Sequence, residues 1–282
     1  MSGPTRAMLP GNRLHLQHGP IDLVIEAWGE PDEVALAYEQ AWQRFDDILP
    51  TLVAELSLLR AALGDPYPMA RGPVARRMIA ACWPHRKAFI TPMAAVAGAV
   101  ADEMLAAMLA GRSLVKAYVN DGGDIALHVA QGHHLDAATV NNPLRPEANA
   151  SLRISSSCGL ATSGWRGRSQ SLGIADAVTI VADTAAAADA AATLVANAVD
   201  IEHPAIRRLP AHEVRHDSDL GNRLVTVEVG TISPDAIGTA LASGCAVASA
   251  MLGAGLIEAA YLALQGETRV IAREKHQWRL SA

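Results

Sequence analysis

Aromatic side chains are scarce in this chain: two phenylalanines, four tyrosines and five tryptophans make up 4% of 282 residues. Half of the residues are nonetheless hydrophobic, so alanine and glycine fill the gap and close helix packing is expected. Cysteine is equally sparse. Cys82, Cys158 and Cys245 stand far apart without metal-ligand spacing. An odd, low count fits a reducing cytoplasm. Positive charge is also short: the net charge is −6 and the pI about 5.9, without the basic stripe of a nucleic-acid binder. Heptads, tandem repeats and long low-complexity tracts are missing. Met1 to Gly19 lacks the apolar core of a signal peptide, so a cytoplasmic location is expected. One long uncharged run exists, Ala236 to Ile257. It is mostly Ala, Gly and Ser, which suits a buried helix better than a membrane span.

Regular elements follow from the pattern. Alternation over Arg13–His18 and Ile21–Trp28 about Gly19-Pro20 predicts a β-hairpin. Val34, Ala37, Tyr38, Ala41, Trp42 and Phe45 recur at helical spacing, and the helix is expected to continue past a kink at Pro50 to Leu63. Residues 65–73 form a Pro/Gly-rich connector. Val74–Trp83 is a short helix carrying Arg76 and Arg77, followed by His85, Arg86 and Lys87; this cluster is a solvated face or an anion contact. Thr91-Pro92 opens a small-residue helix to about Ala110. Leu114–Val119 and Ile125–Val129 flank the turn Asn120-Asp121-Gly122-Gly123-Asp124, where glycines serve either the turn or close approach of a ligand. Residues 202–219 read as a polar surface excursion. Leu224–Val229 is a strand, Ser233 caps a helix expected to reach Leu264, and Thr268–Ala272 is a last strand. Helices and strands do not alternate regularly, so the expected class is α+β with mixed or antiparallel sheets.

The stretch around which the rest is arranged begins at Ser155. A hydroxyl- and glycine-rich loop with Cys158, Arg166 and Arg168 leads into an apolar strand at 174–183. An alanine-rich helix follows, capped by Asp183 or Thr184. On it Asp189 and Thr193 are four apart and share a face. Asp189 alone is either a metal ligand or a cap for a neighbouring loop.

Three blocks in order carry a family resemblance: Ala94–Asp102 with Gly98 and Asp102 four apart, Val119–Ile125 with its Asn-Asp-Gly-Gly-Asp turn, and Ala161-Thr162-Ser163-Gly164 leading to Ala188–Thr193. They resemble the ApbE-like superfamily, whose best-known members are FAD:protein FMN transferases. The closer resemblance, over nearly the whole chain, is to a prokaryotic branch without assigned function that shares the Ser163–Ser169 loop and a terminal helix ending in Leu264-Gln265-Gly266. The resemblance implies one ApbE-like (T-fold-like) domain over 1–282, with a minor subdivision near 64–73, and a homo-oligomer. It implies Mg²⁺ at Asp189, Thr193 and the Ala94 carbonyl, since hard oxygen ligands suit that ion. It also implies FAD or FMN, a nucleotide partner, bound along Gly98, Asn120, Gly122, Gly123, Thr162, Ser163 and Gly164, where loop N–H groups reach phosphates.

Two departures bear on activity. The transferases carry a lysine just before the glycine of the first block; here that residue is Ala97. Their His-x-x-Asp-Pro segment is missing between Gly164 and Asp176. Phosphoryl transfer relies on positioned charge and a base, so the resemblance implies flavin binding without implying FMN transfer. Arg166 and Arg168 are candidates to replace the lost positive charge. Three classes stay open: a flavin- or nucleotide-binding protein; a divergent transferase or FAD pyrophosphatase; and a sulfur-handling protein using Cys158, because archaeal relatives in the branch are linked to sulfide assimilation and homocysteine formation.

Overall fold

The computed structural model describes residues 3–273 and 278–280. It is an α+β protein, and its chain gathers into two compact units that interleave in sequence. The first comprises residues 1–135, 154–161 and 182–190, and the second 136–153, 162–181 and 191–282. Neither boundary falls in the 65–73 connector, which lies wholly within the first unit.

The first unit opens with three antiparallel strands: β1 (Thr5–Leu9), β2 (Arg13–His18) and β3 (Ile21–Gly29). The hairpin of β2 and β3 matches expectation; β1 has no alternating pattern and extends it. The expected long helix is broken into α1 (Pro31–Phe45), α2 (Ile48–Ala54) and α3 (Leu56–Leu59). The first break comes at Asp46-Asp47, so Pro50 sits in the first turn of α2, where a missing N–H costs nothing. Then come α4 (Pro73–Cys82) and a 3₁₀ turn, Pro92–Ala95, leading into α5 (Val96–Leu109). β4 (Leu114–Asp121) and β5 (Asp124–Val129) continue the antiparallel order from β3. Helices α1 and α4 pack on α5, which lies on β4 and β5.

Strands β6 (Leu135–Thr139) and β7 (Ala150–Ile154) form a small sheet with residues 278–280. Apart from Leu135 and Ile154 they belong to the second unit. The segment around Cys158 is a correction. Instead of a loop, Cys158–Ser163 is a strand, β8, whose first residues pair with β5 in the first unit. Its small hydroxyl residues mimic a loop in sequence, but Cys158, Gly159, Leu160 and Ala161 are all buried.

β9 (Ala177–Ala182) is the expected apolar strand, and α6 (Ala185–Ala198) gives its first six residues to the first unit. The polar excursion contains β10 (Ile206–Pro210) and α7 (Ala211–Val214); β10 pairs with β11 (Leu224–Val229). Helix α8 (Pro234–Gly253) carries the expected Ser233 cap, whose Oγ accepts the Ala236 N–H. A second correction follows. The helix stops at Gly253 and does not reach Leu264. Gly255 takes φ 72°, and Ala259–Leu264 is a strand, β12, with every residue buried. A run buried on both faces has no period of two to distinguish it from buried helix. In the second unit β12 lies between β9 and β13 (Glu267–Ala272), both antiparallel to it; the closing strand β14 (Trp278–Leu280) pairs with β7.

By length and composition alone, Pro92–Leu109 and Pro234–Gly253 are apolar enough to cross a membrane. The second is not buried all round as expected. It packs on β12 and β13 while Thr239, Ala242, Ser243, Ala246, Ser249 and Ala250 face outward.

Candidate functional site at the α5/α6 crossing

Helices α5 and α6 meet where Gly98 lies directly against the backbone of Ala185 and Ala186. A Cβ on Gly98 would stand 2.3 Å from the Ala185 carbonyl oxygen, so only glycine permits this approach. Each helix then caps the other. The Gly98 N–H donates to Asp189 Oδ2 at 3.1 Å, and the Ala97 N–H donates to the same carboxylate. In return the Ala185 and Ala186 N–H groups donate to Asp102 Oδ1 and Oδ2, both at 2.9 Å. Thr184 completes the start of α6: its Oγ1 accepts from Ala187 N–H and its carbonyl from Ala188 N–H. The first four N–H groups of α6 are thus all satisfied by protein atoms.

The β4–β5 turn faces this crossing electrostatically. Gly122 and Gly123 take φ 66° and 113°, as a two-residue hairpin turn of the mirror-image type requires. Asn120 Oδ1 accepts the Gly123 N–H at 2.8 Å. Asp121 and Asp124 stand opposite one another across the turn, and Asp121 is buried. Enclosure by protein holds the Asp189 carboxyl well above the usual carboxylate range; the charges of Asp124 and Asp121 push the same way, against the two amides. Beside it, burial and then Asp189 push the Cys82 thiol up, and its Sγ donates to the Thr91 carbonyl. Cys82 is therefore an inert thiol.

The expected site residues divide between the units. Gly98, Ala94, Asn120, Gly122, Gly123, Asp189 and Cys158 lie in the first. Ala94 sits in the 3₁₀ turn before α5. Cys158 is buried; its neighbour Gly159 faces the start of α6, so alternation directs Cys158 to the other face of its strand. Thr162, Ser163, Gly164, Arg166, Arg168 and Thr193 lie in the second unit. There the Thr162 and Thr179 hydroxyls bond at 2.8 Å. A Cβ on Gly164 would stand 2.5 Å from the Asp176 carbonyl, so packing alone demands this glycine. Arg166 donates from Nε to Asp176 Oδ1 at 2.7 Å and lies 4.4 Å over the Trp165 ring. In the basic cluster, Arg77 pairs with Glu103 and Arg86 with Asp65. These ion pairs match the solvated-face reading.

Sequence reasoning underrated three aspartates. Asp121 and Asp124 read as turn residues but act on Asp189 through space. Asp176 gave no signal, yet it gathers Trp165 Nε1, Arg166 and the Gln265 backbone N–H. Asp102 stood out in sequence only by its spacing from Gly98, which Ala185 and Asp189 repeat.

An antiparallel α+β architecture of this order is that of the ApbE flavin transferases. A mutant of the flavin transferase ApbE from Vibrio cholerae superposes with a TM-score of 0.51 over 97% of this chain and 98% of that one, at 12% identity, which shows a shared fold. The family model described as AbpE bacteria matches residues 6–270, and the chain belongs to that family. Among curated relatives, a UPF0280 protein of Methanothermobacter thermautotrophicus is 33% identical over 48% of this chain and 52% of its own length. Another from Methanospirillum hungatei is 34% identical over 52% and 61%. The chain spans about half the length of the curated relatives it matches. None of them lends support to the sulfur-handling alternative.

Proposed function

We propose that the first unit binds the phosphate groups of a flavin nucleotide, FAD or FMN, with Mg²⁺ held at Asp189. The support for this reading is the Asp189 carboxyl itself, whose ionised form is disfavoured first by burial and then by the charges of Asp124 and Asp121 in the same unit. Carboxylate charge in this unit repels a phosphate and attracts a divalent cation. The donors are hard oxygens, which suits Mg²⁺. A carboxylate has about four lone-pair positions, so capping Ala97 and Gly98 leaves Asp189 room for a metal bond. Among the described residues no three His, Cys, Asp or Glu side chains form a metal-holding group, so the remaining ligands would be backbone, hydroxyl or phosphate oxygens. When bound, Mg²⁺ supplies charge neutralisation for phosphate oxygens. The chain itself positions Asp189 and offers the Gly122-Gly123 turn as a surface without side chains.

Ala97 adds no cation at the start of α5, and Arg166 is committed to Asp176. Both favour binding over FMN transfer. The test is titration of natively purified protein with FAD, with and without Mg²⁺, in wild type and Asp189→Asn. Mg²⁺-dependent binding lost in the variant supports the reading; equal binding in all four conditions sinks it. Release of AMP or FMN with time makes the protein an FAD pyrophosphatase or divergent transferase.

A further inference from the structure

The geometry points to Asp102 as the positioning residue for the Asp189 carboxylate, through an exchange of helix caps. This deepens the Mg²⁺ reading above and rests on it for the role of Asp189. The two helix starts are related as if by a two-fold axis. Gly98 precedes Asp102 by four residues, and Ala185 precedes Asp189 by four. Asp102 holds the Ala185 and Ala186 N–H groups; Asp189 holds those of Gly98 and Ala97. Between them stands the side-chain-free contact of Gly98 with Ala185.

Such an exchange couples the two carboxylates although they do not touch. Asp102 fixes the start of α6, and one turn later that helix carries Asp189. Losing Asp102 frees the end of α6 to tilt or shift at the glycine contact. Asp189 then leaves the amides of α5. The exchange also leaves no free N–H at the start of α6 for a ligand phosphate, because Asp102 and Thr184 use all four. An anionic ligand therefore depends on the cation at Asp189, and so on Asp102.

The test is residue-resolved amide hydrogen exchange in wild type and Asp102→Asn, joined to Mn²⁺ titration followed by electron paramagnetic resonance. The variant is expected to speed exchange at Ala185 and Ala186 and, about tenfold, at Ala97 and Gly98, whose acceptor it does not alter. Its Mn²⁺ affinity is expected to fall by about tenfold. Faster exchange at Ala185 and Ala186 alone, with unchanged Mn²⁺ affinity, overturns the proposal. So does a rise spread evenly along α5, which marks local fraying. Should wild type bind no Mn²⁺, the metal reading fails, while exchange at Ala97 and Gly98 still decides the coupling. Should Asp102→Asn not fold, Asp189→Asn tests the reverse direction at Ala185 and Ala186: acceleration there supports the coupling and its absence overturns it.

Discussion

Two aspartates, one in each unit, hold the chain together in opposite ways. Asp176 in the second unit is saturated: Trp165 Nε1 and Arg166 Nε donate to one oxygen, and the Gln265 N–H donates to the other at 2.6 Å. A guanidinium balances its charge. Through it the Ser163–Ser169 loop is tied to the Leu264-Gln265-Gly266 turn. Asp189 in the first unit accepts two amides, while burial and the charges of Asp124 and Asp121 oppose its ionisation. The contrast separates a carboxylate balanced by a guanidinium from one whose ionised form its surroundings disfavour. Paired buried charge is costly to break, whereas uncompensated like charge lowers stability.

The comparison breaks most violently at the helix crossing. Gly98→Ala puts a methyl 2.3 Å from the Ala185 oxygen, against backbone that cannot swing away. The expected loss is about 3 kcal/mol or more in urea unfolding. A loss under about 1 kcal/mol denies that α5 and α6 meet here. Next comes Asp176→Ala, which strands the Trp165 and Gln265 N–H groups together with Arg166. About 2–3 kcal/mol is expected, and a neutral result removes the clamp from the account of the second unit.

Much of this was legible in the sequence, and the failures share a cause. Amphipathic segments declared themselves, the 13–29 hairpin, α1 and α4, as did the Ser233 cap of α8; Thr91-Pro92 opens a 3₁₀ turn, and α5 itself begins at Val96. The misread elements are those buried on every side or built of small residues. Ala259–Leu264 shows no period because both of its faces are covered, and Cys158–Ser163 looks like a loop because its residues are small and hydroxylated. For the site, the Gly122-Gly123 turn and Asp189 stood out, but which carboxylates act on Asp189 depends on pairings between segments far apart. Of the two readings of Asp189 posed in sequence, the structure shows the cap, on the Gly98 and Ala97 N–H groups; the metal reading is the one proposed above.

Arg166→Ala sharpens the comparison from the other side. It removes the cation but leaves Asp176 two donors, so its cost should stay near 1 kcal/mol, well below that of Asp176→Ala, because Arg166 is partly exposed. The loss includes its contact with the Trp165 ring. Added salt should shrink the gap between Arg166→Ala and wild type, as screening weakens the ion pair. An Arg166→Ala cost equal to that of Asp176→Ala shows that charge, and not the amide and indole donors, holds the loop.

Near pH 4 the smallest effect is expected from Asp189→Asn in unfolding, and it should grow with pH. Because the carboxyl titrates above its ordinary value in the folded chain, the folded state binds the proton more tightly than the unfolded one. That contribution is complete below the unfolded value of about 3.9 and is lost as pH rises through the folded value. Asparagine has no proton to lose. Near pH 4 the variant and wild type should therefore unfold at about the same urea concentration. Toward pH 8 the variant should become the more stable, by no more than about 1.4 kcal/mol for each pH unit between the two values. Mg²⁺ should then stabilise the wild type alone, since it binds the ionised carboxylate of the folded state. A variant less stable than wild type at pH 8 without Mg²⁺ means that the lost amide contacts outweigh the relieved repulsion. Asp189 would then resemble Asp176, a carboxylate kept for structure.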